Sequence, residues 1–229
     1  MKNKIQIAID GGAGTGKSTV GRALSEKLGF DFIDSGLLYR VAALIVLEKE
    51  LTSDKAKWFS VLAETSISFS GENVIVDGKV LTPDELHSKA VDDLVSPVSE
   101  VDNVRTTVTS VLRRIADDKS IVMVGRDIGT VVLSDATLKV YLTATDEERA
   151  ARRFKELISK GINVTYEEVL ANIKERDLID SSRTNSPLLV AKDAYVVDTT
   201  NLAVDEVVNS ILQFLEGKLY AIRNSSHHS

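Results

Sequence analysis

Gly11-Gly12-Ala13-Gly14-Thr15-Gly16-Lys17-Ser18 fits G-x-x-x-x-G-K-[ST] at every fixed position. Ahead of it Ile5, Ile7 and Ile9 alternate as a buried strand does, and behind it Val20, Ala23, Leu24 and Leu28 recur at helical spacing. A phosphate cradle needs that order: a strand, a glycine turn, then the start of a helix. The turn lets backbone N–H groups close around phosphate oxygens, and the helix N-terminus adds its positive end. Lys17 can then reach the β- and γ-phosphates, and Ser18 can ligate Mg²⁺. The expected triphosphate-binding segment is Gly11, Gly12, Ala13, Gly14, Thr15, Gly16, Lys17, Ser18 and Thr19. A strand, a P-loop and a helix in succession point to an α/β chain that binds a nucleoside triphosphate.

The rest of the composition narrows this. A chain of 229 residues, 43% hydrophobic and 27% charged, is long enough for one α/β core with a small insertion. Without cysteine it has no disulfide scaffold, thiolate metal site or thiol nucleophile. No leader and no spanning helix are read in it, so the expected address is the cytoplasm. A net charge of −6 argues against a general nucleic-acid binder, so any polyphosphate must be held by a local cluster of cations.

Downstream, Phe30–Asp34 reads as a short strand ending at Asp34-Ser35-Gly36, and a helix follows through Leu37 to Leu47. Its first turn sets Ser35, Tyr39 and Arg40 near a strand's carboxyl end, the edge where open α/β sheets bind ligands. Packing is the plainer reading of Tyr39, and a solvated face that of Arg40. Residues 66–70, 73–76 and 79–81 alternate like three short strands, turning at Gly71-Glu72 and Asp77-Gly78. They read as an insertion. Thr82-Pro83-Asp84-Glu85 is a capping box with proline at the first helical position, and His87 beyond it reads as a surface residue. Trp58 reads as helix packing.

Val104, Val108, Val111, Leu112 and Ile115 mark an amphipathic helix over 101–119 that carries Arg105 beside its apolar face. A buried strand at 121–124 runs into Gly125-Arg126-Asp127-Ile128-Gly129-Thr130. After a strand at 138–142, Thr145 to Glu148 is a second capping box, opening a helix with Arg149, Arg152 and Arg153. Gly161 ends that helix, and Thr165 to Glu168 caps another that reaches Arg176-Asp177. Asp180 and Arg183 are expected in the polar loop after it. The last strand is read at 194–198, and the closing helix from Ala203 to about Leu219. Arg126, Arg176 and Arg183 are poorly explained as helix-face pairs. Glu147, Glu148 and Glu156 lie within pairing distance of the other three arginines, so a salt-bridged surface competes there with a phosphate-closing lid.

Five stretches in this order resemble the bacterial cytidylate kinases in their long form. They are the P-loop, Asp34-Ser35-Gly36-Leu37-Leu38-Tyr39-Arg40, Gly125-Arg126-Asp127-Ile128-Gly129-Thr130-Val131-Val132, Arg176-Asp177 through Arg183, and Asp198-Thr199-Thr200. The resemblance covers almost the whole chain, and the Gly-Arg-Asp run is its most specific part. It implies a P-loop nucleoside monophosphate kinase fold over 1–229, with a parallel five-stranded core sheet ordered 2-3-1-4-5 and helices on both faces. Core segments would be 1–35, 101–145 and 184–223, the monophosphate-binding region 36–100, the arginine lid 146–183, and 224–229 a disordered tail.

The implied reaction is transfer of the ATP γ-phosphoryl group to CMP or dCMP, in pyrimidine nucleotide metabolism. Lys17, Arg126, Arg153 and Arg183 are the implied catalytic cations. Ser96, Arg105 and Asp127 would face the cytosine with Tyr39 packed on it, and Arg176 with Asp180 would hold the ribose. Ser35, Arg40, Arg126 and Arg183 would hold the acceptor phosphate, while Ser18 and, through water, Asp34 would hold Mg²⁺. The family usually has an acidic residue just before Gly-Arg-Asp, where this chain has Val124. Its absence leaves Asp34 as the outer-sphere candidate. Rivals are a kinase for UMP, AMP or shikimate, a nucleotide binder without activity, and a regulatory GTPase. The last needs an Asn-Lys-x-Asp guanine reader, and the chain has none. Small-molecule partners, a monomer, and neither nucleic acid nor membrane are expected.

Overall fold

Alternating isoleucines form β1 (Gln6–Gly11), in which Ile7, Ala8 and Ile9 are fully buried. The computed structural model describes residues 4–70 and 73–225; the expected turn at Gly71-Glu72 and residues 226–229 of the expected tail lie outside them. After the glycine turn comes α1 (Lys17–Leu28), which buries Val20 and Leu24 and stops at Gly29. The remaining core strands are β2 (Asp31–Asp34), β6 (Ile121–Gly125), β7 (Leu138–Thr143) and β8 (Tyr195–Asp198). Their order across the sheet is β2-β6-β1-β7-β8, which is 2-3-1-4-5 in core-strand numbering. β1 pairs in parallel with β6 and β7, and β7 with β8.

The chain divides into two compact units, one of residues up to Phe30 and from Ile121 onward, the other of Asp31–Ser120. In the first unit, α7 (Asp146–Ser159) and α8 (Tyr166–Ser182) pack on each other, and α9 (Val204–Ser225) covers α1 and β7. α9 therefore runs well past Leu219, through Asn224 and Ser225. Ala150, Val169 and Ile173 make a small core between α7 and α8 that also encloses Ala13 of the glycine turn. Phe154 and Tyr166 close it edge to face, with ring centroids 6.3 Å apart.

The second unit is built on α2 (Ser35–Glu48), whose Leu38, Val41, Ala42, Ala43, Ile45 and Val46 are all buried. Around it stand α3 (Lys55–Glu64), α4 (Pro83–Leu86), α5 (Lys89–Ser99) and α6 (Asp102–Ala116). Trp58 is fully buried in α3 and donates its indole N–H to Leu51 O at 2.8 Å. The inserted strands β3 (Ile67–Ser70), β4 (Asn73–Val76) and β5 (Lys79–Val80) form a separate antiparallel sheet. Thr82 and Glu85 complete their reciprocal cap, and Pro83 occupies the first turn. α5 holds Pro97 in its last turn, where the ring lacks the N–H that would donate to the helix ladder.

Two local expectations are corrected. The cap at Thr145 is only half formed: its hydroxyl accepts from Glu148 N at 3.3 Å, but the Glu148 carboxylate accepts from Arg152 Nε at 2.9 Å instead. The Thr145 N–H that Glu148 would have taken donates to Thr200 Oγ1 at 3.1 Å. Asp180 lies within α8, not in a loop, and Arg183 is the capping residue after its end. The Ser181 hydroxyl donates to Asp177 O at 2.7 Å and that of Ser182 to Ile179 O at 3.4 Å, so the polar residues extend the helix.

Candidate active site

The glycine turn leaves β1 and folds back over itself before α1 begins. Gly16, with φ +87°, makes the bend into the helix, a backbone conformation that strains any residue with a Cβ. Lys17 is buried, and its amine donates to Gly12 O at 2.6 Å and to Thr15 Oγ1 at 3.4 Å. Ser18 and Thr19 are exposed on the first turn of α1, which contains no acidic residue. The positive end of this helix therefore meets no side-chain carboxylate of its own.

α7 and α8 grip the turn at Ala13. Asp177 Oδ1 accepts the Ala13 N–H at 3.1 Å, and Arg149 Nη1 donates to Ala13 O at 3.0 Å. Arg149 is itself ion-paired to Asp177 and Asp146. Burial works against its charge, but the hydrogen bonds to the two carboxylates outweigh that, and its pKa is raised. Arg149 is thus a buried anchor for the P-loop. Arg152 has a similar duty, donating to Thr199 Oγ1 at 3.0 Å and Thr199 O at 2.6 Å, while Thr199 lies against Thr15 O. Arg153 differs: it is partly exposed and pairs only locally, with Glu156 at 2.7 Å.

Beside the P-loop, at the carboxyl edge of the sheet, β6 delivers Gly125 opposite Asp10. Arg126 follows, half-buried, with Nε donating to Asp180 Oδ2 at 2.8 Å. Asp180 also pairs with Arg183, so one buried carboxylate joins two of the expected phosphate-binding arginines. Arg176 is on the same helix, half-buried. Asp127 is buried and begins a single wide helical turn (Ile128–Val132), closed by Val132 N to Asp127 O at 3.1 Å and Leu133 N to Ile128 O at 2.6 Å.

Asp10 was not among the residues singled out from the sequence. Its carboxylate is buried and accepts two successive N–H groups, Ile128 at 2.8 Å and Gly129 at 2.7 Å. Burial pushes its pKa up to about 6, with the two N–H groups and Lys17 pulling it down in part and Asp127 adding to the rise. With the folded value above the unfolded one, the stability linked to this group is present below about pH 4 and is lost as pH rises through about 6. Holding the carboxylate ionised at neutral pH costs about 3 kcal/mol, a cost typical of functional sites. An acid at the end of an apolar strand, abutting a P-loop, was the available clue.

The second unit gathers its own expected residues. The Asp34 carboxylate accepts the Gly36 N–H at 2.9 Å, capping α2 at buried Ser35. Arg40 pairs with Asp92 and donates to Leu86 O at 3.0 Å. Arg105 is buried, its guanidinium 5.3 Å from the centre of the Tyr39 ring, and Nη1 donates to Ser99 O at 3.1 Å. Half-buried Ser96 accepts from the Ser99 hydroxyl at its carbonyl, at 2.9 Å. Tyr39 and Arg105 are in contact, and both Arg105 and Ser96 are tied to Ser99. Val124 is buried in β6 opposite Ile9.

Comparison with known proteins fits this arrangement. A sequence profile described as cytidylate kinase matches residues 7–217. A cytidylate kinase of Caldanaerobacter subterraneus subsp. tengcongensis is 45% identical over 210 residues, spanning 91% of this chain and 93% of that protein. One of Clostridium botulinum (strain Langeland) is 42% identical over 213 residues, spanning 93% and 98%. Among solved structures, an uncharacterized protein from Eubacterium ventriosum shares the fold at a TM-score of 0.55 and 15% identity, covering 93% of this chain and 99% of that one. With a profile match over most of its length and relatives this similar end to end, the chain belongs to the cytidylate kinase family.

Proposed function

We propose that this protein transfers the γ-phosphoryl group of ATP to CMP and dCMP, giving ADP and the nucleoside diphosphate. The observation that carries it is the juxtaposition, on one sheet edge, of a folded P-loop and the Gly125-Arg126-Asp127 segment. No protein nucleophile is needed, because the acceptor phosphate attacks directly. Lys17 and the P-loop N–H groups hold the ATP phosphates. Ser35, Arg40, Arg126 and Arg183 hold the acceptor phosphate, and Arg176 with Asp180 the ribose. Asp127 accepts from the exocyclic amine of cytosine, Arg105 and Ser96 serve O2 and N3, and Tyr39 packs on the ring. The lid is read as 146–183 and the acceptor-binding region as 36–100.

For Mg²⁺ the residues present fit a metal held mainly by phosphates and water. Among the described residues there is no cluster of three or more His, Cys, Asp or Glu to cage it, while Ser18 is an exposed residue next to Lys17 at the start of α1. Ser18 would ligate it directly and Asp34 through water. When bound, Mg²⁺ supplies charge neutralisation across the β- and γ-phosphates. No described helix is long and apolar enough to cross a membrane, and we read a cytoplasmic monomer acting on small molecules.

ADP formation measured in parallel with CMP, dCMP, UMP, AMP and shikimate tests the reading. CMP and dCMP are expected to be the preferred acceptors, and a higher kcat/KM for AMP or shikimate overturns it. The lid assignment is tested separately. Arg153 is the α7 arginine left on a partly exposed, local ion pair, so it is the one able to swing onto transferring phosphate. Arg153→Ala should lower kcat by about tenfold or more while changing the KM for CMP less. An unchanged kcat would make Arg153 a salt-bridged surface residue.

A further inference from the structure

Asp10 sits where three strands deliver their carboxyl ends: it lies opposite Gly125 of β6 on one side and Tyr141 of β7 on the other. One residue later the chain becomes the P-loop. Its two oxygens are used separately, Oδ1 by Ile128 N–H at 2.8 Å and Oδ2 by Gly129 N–H at 2.7 Å. Those N–H groups begin the wide turn directly after Arg126 and Asp127. The fit is close, because a Cβ on Gly129 would come within 3.3 Å of Asp10 Oδ2 and of the Lys139 side chain. A side chain at 129 would need its neighbours to give by a few tenths of an ångström.

We infer that Asp10 is a positioning residue of the kinase reaction: it clamps the Arg126–Asp127 segment to the strand that carries the P-loop, and so fixes the acceptor-reading groups relative to the ATP phosphates. The inference rests on the function proposed above. Asp10 itself touches neither substrate in this scheme. Only the ionised carboxylate can accept both N–H groups without a proton of its own in the way. An aliphatic residue would fill the space more cheaply in so buried a place, so the retained charge needs a use of this kind.

The groups facing Asp10 are few. Lys17 from the start of α1 favours its charge, and Asp127 from the clamped segment opposes it. From β7, the Tyr141 phenol is pushed up by burial first and then by Asp177 and Asp10, so it stays neutral. Lys139, also on β7, spends its amine on Asp193 at 2.8 Å. Protonating Asp10 puts an O–H donor on one of the two oxygens that accept the Ile128 and Gly129 N–H groups, and so weakens the clamp.

The test is kcat/KM for CMP, from pH 5 to pH 8, in the full-length wild type and Asp10→Asn. The amide keeps the shape and one acceptor but turns an NH₂ toward the second N–H. The wild-type-to-variant ratio cancels titration of the CMP phosphate, which itself loses a proton near pH 6. That ratio is expected to be about tenfold or more at pH 8 and to fall to about twofold at pH 5, where most wild-type Asp10 is protonated. A ratio that does not change with pH means a merely structural role and overturns the proposal. Wild type without CMP turnover overturns the functional reading and this proposal with it. Should the variant fail to fold, the wild type still decides by NMR: the Ile128 and Gly129 amide resonances should titrate together near pH 6. Ile128 and Gly129 amides that do not move as the Asp10 carboxylate itself titrates refute the clamp.

Discussion

Lys17→Ala is expected to lower kcat/KM with ATP and CMP by about a thousandfold or more, close to complete loss of turnover. In the proposed reaction this residue meets the β- and γ-phosphate charge. The structure adds a condition to that expectation. Lys17 is not an idle surface cation: its amine closes the P-loop on Gly12 O at 2.6 Å and holds down the pKa of Asp10. The variant should therefore show a further rise in the Asp10 pKa. Its melting temperature should change only modestly, because the hydrophobic contacts of α1 come from Val20 and Leu24. Turnover near the wild-type level in a folded Lys17→Ala protein would remove the P-loop from the reaction.

The second large effect is one of selectivity. If Asp127 reads the base as proposed, Asp127→Ala removes a charged hydrogen bond to the cytosine amine, worth about 1.5–3 kcal/mol or ten- to a hundredfold in kcat/KM for CMP and dCMP. UMP presents a carbonyl in that place, which the wild-type carboxylate repels, so the loss for UMP should be smaller and the CMP/UMP ratio should narrow. Removing Asp127 also relieves the like-charge pressure on Asp10, lowering its pKa and strengthening its hold on Ile128 and Gly129. The turn should thus survive the substitution. Equal losses for both substrates, accompanied by a lower melting temperature, would assign Asp127 a structural role. Measuring both ratios in both proteins separates the two.

Neither Arg126 nor Arg183 stands alone. Both are joined to Asp180, which the structure places on α8 and not in a loop. Asp180 partly neutralises their charges and keeps the two guanidinium groups together.

The amino-acid sequence by itself determined the local elements whose signals lie within a few residues. The P-loop between an alternating strand and an apolar-striped helix is one, since Gly16, Lys17 and Ser18 act through adjacent backbone. The cap at Thr82-Pro83-Glu85 and the inserted antiparallel strands are others, while the 2-3-1-4-5 sheet order came from the family resemblance that the ordered motifs carry. Tertiary structure decided what depends on distant partners. Asp10 meets Ile128 and Gly129 across more than a hundred residues, and Asp177 meets Ala13 across a longer span still. Such pairs leave no periodicity to read. Arg149, Arg152 and Arg153 look interchangeable along one helix, yet one is buried against Ala13, one is bonded to Thr199, and one is left on a local ion pair. Glu148 could serve Thr145 or Arg152 equally well by spacing. Thr200 settled the choice by taking the Thr145 N–H, because in a packed fold each donor and acceptor is shared among all the groups that tertiary contact brings within reach.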